Sequence, residues 1–560
     1  MSRTSPDSDN KFTSRDASLD KMKLEGATSH VEQSDPSSNR EFDDSIEDTE
    51  PSRAVWLITF TVAMGGFLFG YDTGVISAVL VSLKDDLGHE LDSHEQELIT
   101  SITSGGALLG ALIAGLPADR YGRKLGIYLG CLLFLIGTII QAAAFSVAQM
   151  TVGRLVVGLG VGSAAMIIPL YIGELAPAKH RGRMIAFDNM SVTFGQLVSY
   201  ALGAGFTEVP HGWRYMVAVG GVPPIVLAFL LPKCPESPRQ LISHGKLEEA
   251  ARVIKRVYPH ATEEQVAAKV GHMAYTVEVE AQVTSGSLWD RFKELHVVPS
   301  NFRALVCACA IMAISQLGGF NTLMYYSATL FGLVGFNKPV AVSIVVGATN
   351  FVFSLVNLFV IDRVGRRRIL LITVAGMVSP IPPVPSVLIH NSTVQLLTTP
   401  VFDQSASMVV AAVAFHWIPV SPDLKLQTAS VNWAGILVLV TIIVYVACFA
   451  GGVATIAWVG TELLPLEVRA LGTMMNTVVC WGCNIIIAST FLSMMKGMTP
   501  SGAFGFYAGI CFFGWIFCIF CYPEANGLPL EDVRQIFATG FGVKKANELQ
   551  RLRKMTGGSA

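Results

Sequence analysis

From residue 55 to residue 522 the chain alternates long apolar runs with short polar breaks. A bilayer core about 30 Å thick needs roughly 20 mainly apolar residues per crossing helix, and the runs are of that length. They predict spans near 55–80, 99–118, 125–148, 152–175, 186–206, 214–232, 303–333, 339–361, 369–390, 431–463, 472–495 and 503–522. Hydrocarbon offers the backbone no hydrogen-bond partners, so each run is expected to be helix rather than open strand. The expected fold is an all-α membrane protein of twelve transmembrane helices.

The polar remainder divides the chain further. Residues 1–54, rich in Ser and acids and poor in aromatics, are expected to form a disordered tail, and no cleavable signal precedes the first span. Residues 55–232 form one six-helix bundle and 303–522 a second. The charged stretch 233–302 links them and contains helix-like segments such as 247–257. A loop at 391–430 and a tail at 523–560 complete the division. Lys and Arg concentrate on one side of the expected membrane, at Arg120, Arg123, Lys124, Lys179, Arg181, Arg183, Arg363, Arg366, Arg367 and Arg368, while the other side carries an acidic stretch at 84–97. The positive-inside rule then makes the basic side, the linker and both termini cytoplasmic. The 391–430 loop falls outside, where Asn391-Ser392-Thr393 is a glycosylation sequon.

Composition changes the picture by exclusion. Charged residues are 15% of the 560, the hydrophobic set is 51% and mean hydropathy is +0.50; soluble domains average about 25% charged. Too few charges remain to coat a water-facing surface. A net charge of −2 provides no basic field for nucleic acid. Most of the ten cysteines lie inside apolar runs and read as small apolar residues, the Cys480–Cys483 pair included. No metal site is expected.

The two bundles repeat one another. Asp119-Arg120-Tyr121-Gly122-Arg123-Lys124 follows span two, and Asp362-Arg363-Val364-Gly365-Arg366-Arg367 follows span eight. Glu174 and Arg181 recur as Glu462 and Arg469, and Pro235-Glu236 as Pro523-Glu524. Two six-helix halves in one orientation are the parallel repeat of a rocking transporter.

These residues carry a resemblance. The chain resembles the sugar porter family of the major facilitator superfamily over nearly all of residues 55–537. Gly65-Gly66-Phe67-Leu68-Phe69-Gly70-Tyr71-Asp72-Thr73-Gly74, both DRxGR loops, Tyr171-Ile172-Gly173-Glu174-Leu175-Ala176-Pro177 and Pro235-Glu236-Ser237-Pro238-Arg239 match that family's signatures. Asn321-Thr322-Leu323-Met324-Tyr325-Tyr326-Ser327, Ile487-Ala488-Ser489-Thr490-Phe491-Leu492, Thr499-Pro500 and Phe520-Cys521-Tyr522-Pro523-Glu524 are similar to the fungal type of proton-coupled myo-inositol symporter.

An ionisable group within hydrocarbon is costly and is a functional candidate by default. Asp72 lies about 25 Å up span one at 1.5 Å per residue, and Arg154 lies near the start of span four, at matched depth. They are expected to pair and to couple proton entry to transport. External protons would neutralise Asp72 and release Arg154; discharge to the inside would restore the pair. A static ion pair is the bland alternative. The resemblance implies the coupling role, since proton-coupled members carry an aspartate at the position of Asp72. The proton is the coupling ion, and no cofactor is expected.

A polyol presents hydroxyls and apolar C–H faces, so its site needs neutral amides and hydroxyls beside aromatic surface. Asn189, Thr193 and Gln196 form one polar stripe in span five, and Thr477, Trp481 and Asn484 another in span eleven. In span seven Gln316 precedes Gly318-Gly319, where the helix can break, and Asn321 and Tyr325 follow. Asn350 and Trp458 add an amide and an aromatic. Any one of these could be interhelical glue; their concentration favours a shared cavity. The resemblance implies sugar-contacting roles for Gln196, Gln316, Asn321, Asn350, Trp481 and Asn484, with Tyr325 and Tyr326 at an outer gate. Two amides that it also implies are absent from Trp458-Val459-Gly460-Thr461-Glu462.

Asp119, Arg123, Glu174, Arg181 and Glu236, with their counterparts Asp362, Arg366, Glu462, Arg469 and Glu524, place acids and arginines at helix ends on one side. They are expected to form a cytoplasmic charge network that favours the outward-open state. Exposed pairs are individually worth about 0–1 kcal/mol, so only a network would suffice. The function expected is a plasma-membrane proton symporter importing myo-inositol or a similar polyol, working as a monomer. Hexose transport by symport or uniport is the nearest rival, and a non-transporting nutrient sensor a further one. No catalytic constellation or phosphate loop points to an enzyme.

Overall fold

The computed structural model describes residues 45–283, 287–378, 407–421, 424, 431–524, 536–538 and 540–555. The first half is built from α1 (Arg53–Ser82), α2 (Ser93–Tyr121), α3 (Arg123–Ala142), α4 (Val147–Leu175), α5 (Arg181–Phe206), α6 (Gly212–Val219) and α7 (Val222–Leu230). Side chains start these helices where the sequence supplies an acceptor: Ser52 for α1, an Asp92–Glu95 capping box for α2 and Ser146 for α4. The linker carries α8 (Pro238–Ser243), α9 (Leu247–Val257), α10 (Glu263–Val283) and α11 (Leu288–Val297). In the second half stand α12 (Pro299–Leu317), α13 (Phe320–Val334), α14 (Pro339–Val364), α15 (Arg366–Val378), α16 (Ser407–Phe415), α17 (Trp433–Cys448), α18 (Ala454–Val459) and α19 (Leu466–Cys521). A last helix, α20 (Val543–Met555), follows.

Nine helical stretches among the described residues are long and apolar enough to cross a membrane. The last of these turns back on itself at Met498-Thr499-Pro500, where Thr499 has φ 65°. Phe491 and Tyr507 flank that turn with their rings only 6.2 Å apart, so the stretch supplies two crossings. α5 is 26 residues long and has the length of a crossing; its polar residues, among them Asp188, Asn189 and Gln196, dilute its hydropathy.

The ninth crossing corrects the sequence reading. It was expected over 369–390, with 391–430 as one outer loop. α15 is described as far as Val378, and within the range expected for the outer loop a helix begins at Ser407, whose hydroxyl donates to the carbonyls of Gly376 and Met377 at 3.3 Å. α16 thus stacks on the end of α15 and packs against α17 and α19. Residues 379–406, which hold the end of the expected span and the start of the expected loop, lie outside the described residues. Asn391 lies outside the described residues.

Small residues bring the helices of the first half into close contact, as expected where dispersion rather than water drives packing. A Cβ on Gly70 would stand 1.8 Å from the carbonyl oxygen of Val192 on α5, and one on Gly158 2.2 Å from that of Thr103 on α2. In span seven the predicted break is present. α12 ends at Leu317, Gly319 has φ 93°, and the hydroxyl of Tyr445 donates to the freed Gly318 carbonyl at 2.8 Å.

The amino-terminal reading also needs correction. Residues 45–54 are ordered: Ser45–Asp48 forms a short 3-10 turn with Ile46 fully buried. Glu47 accepts from Lys269, Tyr258 and the Ala178 N–H, pinning this turn to the linker helices. At the other end, Phe537 is buried and its carbonyl accepts from Arg303.

Candidate transport site

α1 and α4 each bring one charge into the protein interior. Arg154 Nη1 donates to Asp72 Oδ1 at 2.6 Å, and Nε donates to the Ile99 carbonyl at 3.4 Å. Arg154 is 2% exposed and Asp72 7%. Leaving either charge alone there would cost about 3–5 kcal/mol, so any event that discharges one partner acts on the other. The pair expected from depth alone is therefore made, and it is sealed from solvent.

The expected polyol-binding groups gather where the halves meet. Asn350 on α14 donates from Nδ2 to Gln196 Oε1 on α5 at 2.7 Å, joining the two halves directly. Asn321 Nδ2 donates to Gln316 Oε1 at 2.6 Å across the broken seventh helix. On α19, Trp481 stacks edge-on against Phe69 of the first half, with centroids 5.6 Å apart. One turn along, Asn484 Nδ2 donates to the Tyr325 hydroxyl at 3.1 Å. Two polar atoms on this face are buried without a partner, Trp481 Nε1 and Asn484 Oδ1. A donor and an acceptor left open on one helix face suit a neutral polyhydroxylated molecule. Thr193 satisfies its hydroxyl on the Met190 carbonyl, Asn189 is exposed, and Trp458 on α18 leaves 40% of its surface uncovered.

Beyond these amides, toward the end of the molecule that carries the 83–92 loop, the halves are closed on each other. Ser77 and Ser327 share a hydrogen bond of 3.0 Å, the Ala328 N–H donates to Ser77 Oγ at 2.9 Å, and the Tyr200 hydroxyl donates to the Met324 carbonyl at 2.6 Å. Tyr326 donates to the Ala488 carbonyl at 2.8 Å. The Tyr325 and Tyr326 hydroxyls also face Ser104 and Thr100 on α2. Glu97, also on α2, accepts from Ser493 of the opposite half. Sequence reasoning passed over Glu97 because it sits in the acidic 84–97 stretch that served only to set orientation.

At the opposite, basic end the charge network works inside each half. Arg123 bonds to Glu174 at 3.0 Å and to Asp119. Glu236 accepts from the N–H groups of Arg123 and Lys124 at 3.0 and 3.3 Å, so it caps α3 where Gly122, at φ 108°, has no side chain to offer. Glu524 repeats this against the Arg367 N–H at 3.0 Å beside Gly365, at φ 95°. The duplicated glutamates thus cap helices, a role the repeat alone did not reveal. Arg181 opens α5 on the exposed surface, which does not match its expected place in the network. Arg469 reaches the Leu464 carbonyl, and Arg366 and Arg469 make further contacts. The side chains of Asp362 and Glu462 lie outside the described residues.

A chain of this topology, with a polar site between two pseudo-repeated bundles, is a carrier of the major facilitator type. The family model described as "Sugar (and other) transporter" matches residues 58–537, and the chain belongs to that family of transporters, which are not enzymes. It is 43% identical over 503 residues to myo-inositol transporter 1 of Cryptococcus neoformans, covering 89% of this chain and 84% of that protein. Against myo-inositol transporter 1 of Saccharomyces cerevisiae it is 40% identical over 503 residues, covering 89% and 81%. Among solved structures, the partially occluded inward-open conformation of the xylose transporter XylE from E. coli matches 86% of this chain and 100% of its own at a TM-score of 0.68 and 24% identity, a likeness of fold.

Proposed function

We propose that this transporter imports myo-inositol across the plasma membrane by proton symport, alternating access between its two halves. The Asp72–Arg154 pair carries the reading of the energetics: a buried carboxylate bonded to a buried guanidinium forms a device that a proton can open. Protonation of Asp72 removes the attraction that holds α1 to α4, and loss of that proton on the other side restores it. The substrate reading is supported by the names of the fungal relatives and by the open Trp481 donor and Asn484 acceptor.

In this reading the basic end, with the linker helices and both termini, is cytoplasmic. The closed contacts from Ser77 to Ser493 then form the outer gate, and the chain stands outward-closed. No cofactor is required, one copy is sufficient, and Asn391 is on the side where glycosylation occurs. The test is uptake of labelled myo-inositol and labelled glucose by a transport-deficient host, with and without a protonophore. Inositol uptake that collapses with the proton gradient supports the proposal; uptake indifferent to the protonophore, or selective for glucose, contradicts it.

A further inference from the structure

Asp72 is not the only acid inside the membrane region. Asp188, on α5, is 6% exposed, and its Oδ1 is buried without a hydrogen-bond partner. It lies on the seam where α5 meets the glycine row of α1. A Cβ on Gly66 would stand 2.6 Å from Asp188 Oδ1, just as one on Gly70 would strike Val192 and one on Gly74 Ser199. The space for this carboxyl therefore exists because residue 66 has no side chain. α5 packs mainly against α1 and α14, with lesser contacts to α4 and α6. Among the described residues, no charged or titratable group of these helices faces Asp188; burial and the Gly66 backbone make up its surroundings. A carboxylate with no counter-ion and only the Gly66 backbone to hydrogen-bond it is costly in such a place, whereas the neutral acid is tolerated.

Position adds a direction. Gly66 precedes Asp72 by six residues on one helix, or about 9 Å at 1.5 Å per residue, on the side of the basic end. Asp188 thus lies between the Asp72–Arg154 pair and the face assigned to the cytoplasm. We propose that Asp188 is a second proton-binding carboxyl, distinct from Asp72, through which the proton leaves the coupling pair toward the cytoplasm. The binding half of this statement rests on the site alone; the relay half rests on the symport reading above.

Infrared spectroscopy tests the first half. In the full chain, labelled with 13C at the aspartate carboxyls and reconstituted in liposomes at neutral pH, a protonated-aspartate C=O band is expected. It should persist in Asp72→Asn and vanish in Asp188→Asn. A wild type without the band, or a band untouched by Asp188→Asn, overturns the proposal, and the wild-type spectrum decides even if the variant fails to fold. Flux tests the second half. Asp188→Asn should slow net uphill uptake several-fold more than it slows exchange of internal for external inositol, because exchange requires no proton release. Equal loss of both would mark a structural role and overturn the relay. A wild type indifferent to a protonophore would sink the symport reading while the band stood, so the two failures are distinguishable.

Discussion

The carboxylate of Glu97, at the start of α2, accepts the backbone N–H of Ser493 at 2.7 Å and its hydroxyl at 2.6 Å, spanning the two halves of the molecule. Hydrogen bonds to a charged acceptor are worth about 1.5–3 kcal/mol each, enough to bias a two-state gate by about tenfold or more. Glu97→Ala should shift the population toward the outward-open state. A cysteine placed at Thr329, which lines a cavity of about 510 Å³ beside this gate, reports it. Labelling by a membrane-impermeant maleimide is expected to accelerate in the Glu97→Ala background. An unchanged rate would remove Glu97 from the gate.

Gly70 makes a second case, in which a gain in helix propensity is overruled by packing. Replacing Gly with Ala inside a helix ordinarily stabilises it by about 1 kcal/mol. Here the new Cβ would stand 1.8 Å from the Val192 carbonyl oxygen, backbone that cannot swing aside. Gly70→Ala should therefore lower the Tm of the purified protein, with α1 pushed off α5 and Asp72 displaced with it. Gly105, with nothing near its Cβ position, is the control: Ala there should leave Tm the same or slightly higher.

The open groups on α19 give a prediction about affinity. Trp481→Phe preserves the ring against Phe69 but removes the unpartnered indole N–H. If the polyol accepts that hydrogen bond, the loss is about 0.5–1.5 kcal/mol. Uptake kinetics should show KM raised by about two- to tenfold with a smaller change in kcat. An unaltered KM would place the substrate elsewhere.

The loop after α1 carries a pH-dependent clasp. Asp86 accepts from the indole of the buried Trp213 at 2.6 Å and meets His211 Nδ1 at 2.8 Å. Burial alone would push the Asp86 carboxyl up, but those two hydrogen bonds and the His211 and Arg214 charges outweigh it and hold it below the ordinary carboxylate value. A group depressed in the folded state stabilises above its unfolded value, about 3.9 for Asp, and loses that stabilisation as pH falls through the folded one. The Tm difference between wild type and Asp86→Ala should be present above the ordinary carboxylate range, where Asp86 is ionised, and close as the medium is acidified below it. A difference that grows on acidification would contradict the assignment.

Much of this was legible in the chain because the bilayer imposes length and apolarity on each crossing, and because the repeat fixes both halves at once. The break at Gly318-Gly319, the helix over 247–257 and the meeting of Asp72 with Arg154 all followed from local composition and depth. What escaped were matters of partner rather than of type. Asp188 lay beside Asn189 in the same polar stretch, and only the helix rotation shows that the aspartate faces α1 while the asparagine faces out. Glu236 and Glu524 read as latch charges; only the fold shows them capping helices whose own cap positions are glycines. The helix at Ser407–Phe415 was read as outer loop for a different reason, since only its packing on α15, α17 and α19 shows that it belongs to the bundle.

In the proposed cycle a proton releases Asp72 from Arg154 and so energises import. Asp72→Asn mimics the protonated acid permanently. The decisive measurement is accumulation of labelled myo-inositol against its gradient, beside exchange in the same proteoliposomes. The variant should still exchange inositol but no longer concentrate it, whatever the imposed proton gradient. Undiminished, protonophore-sensitive accumulation by Asp72→Asn would contradict it.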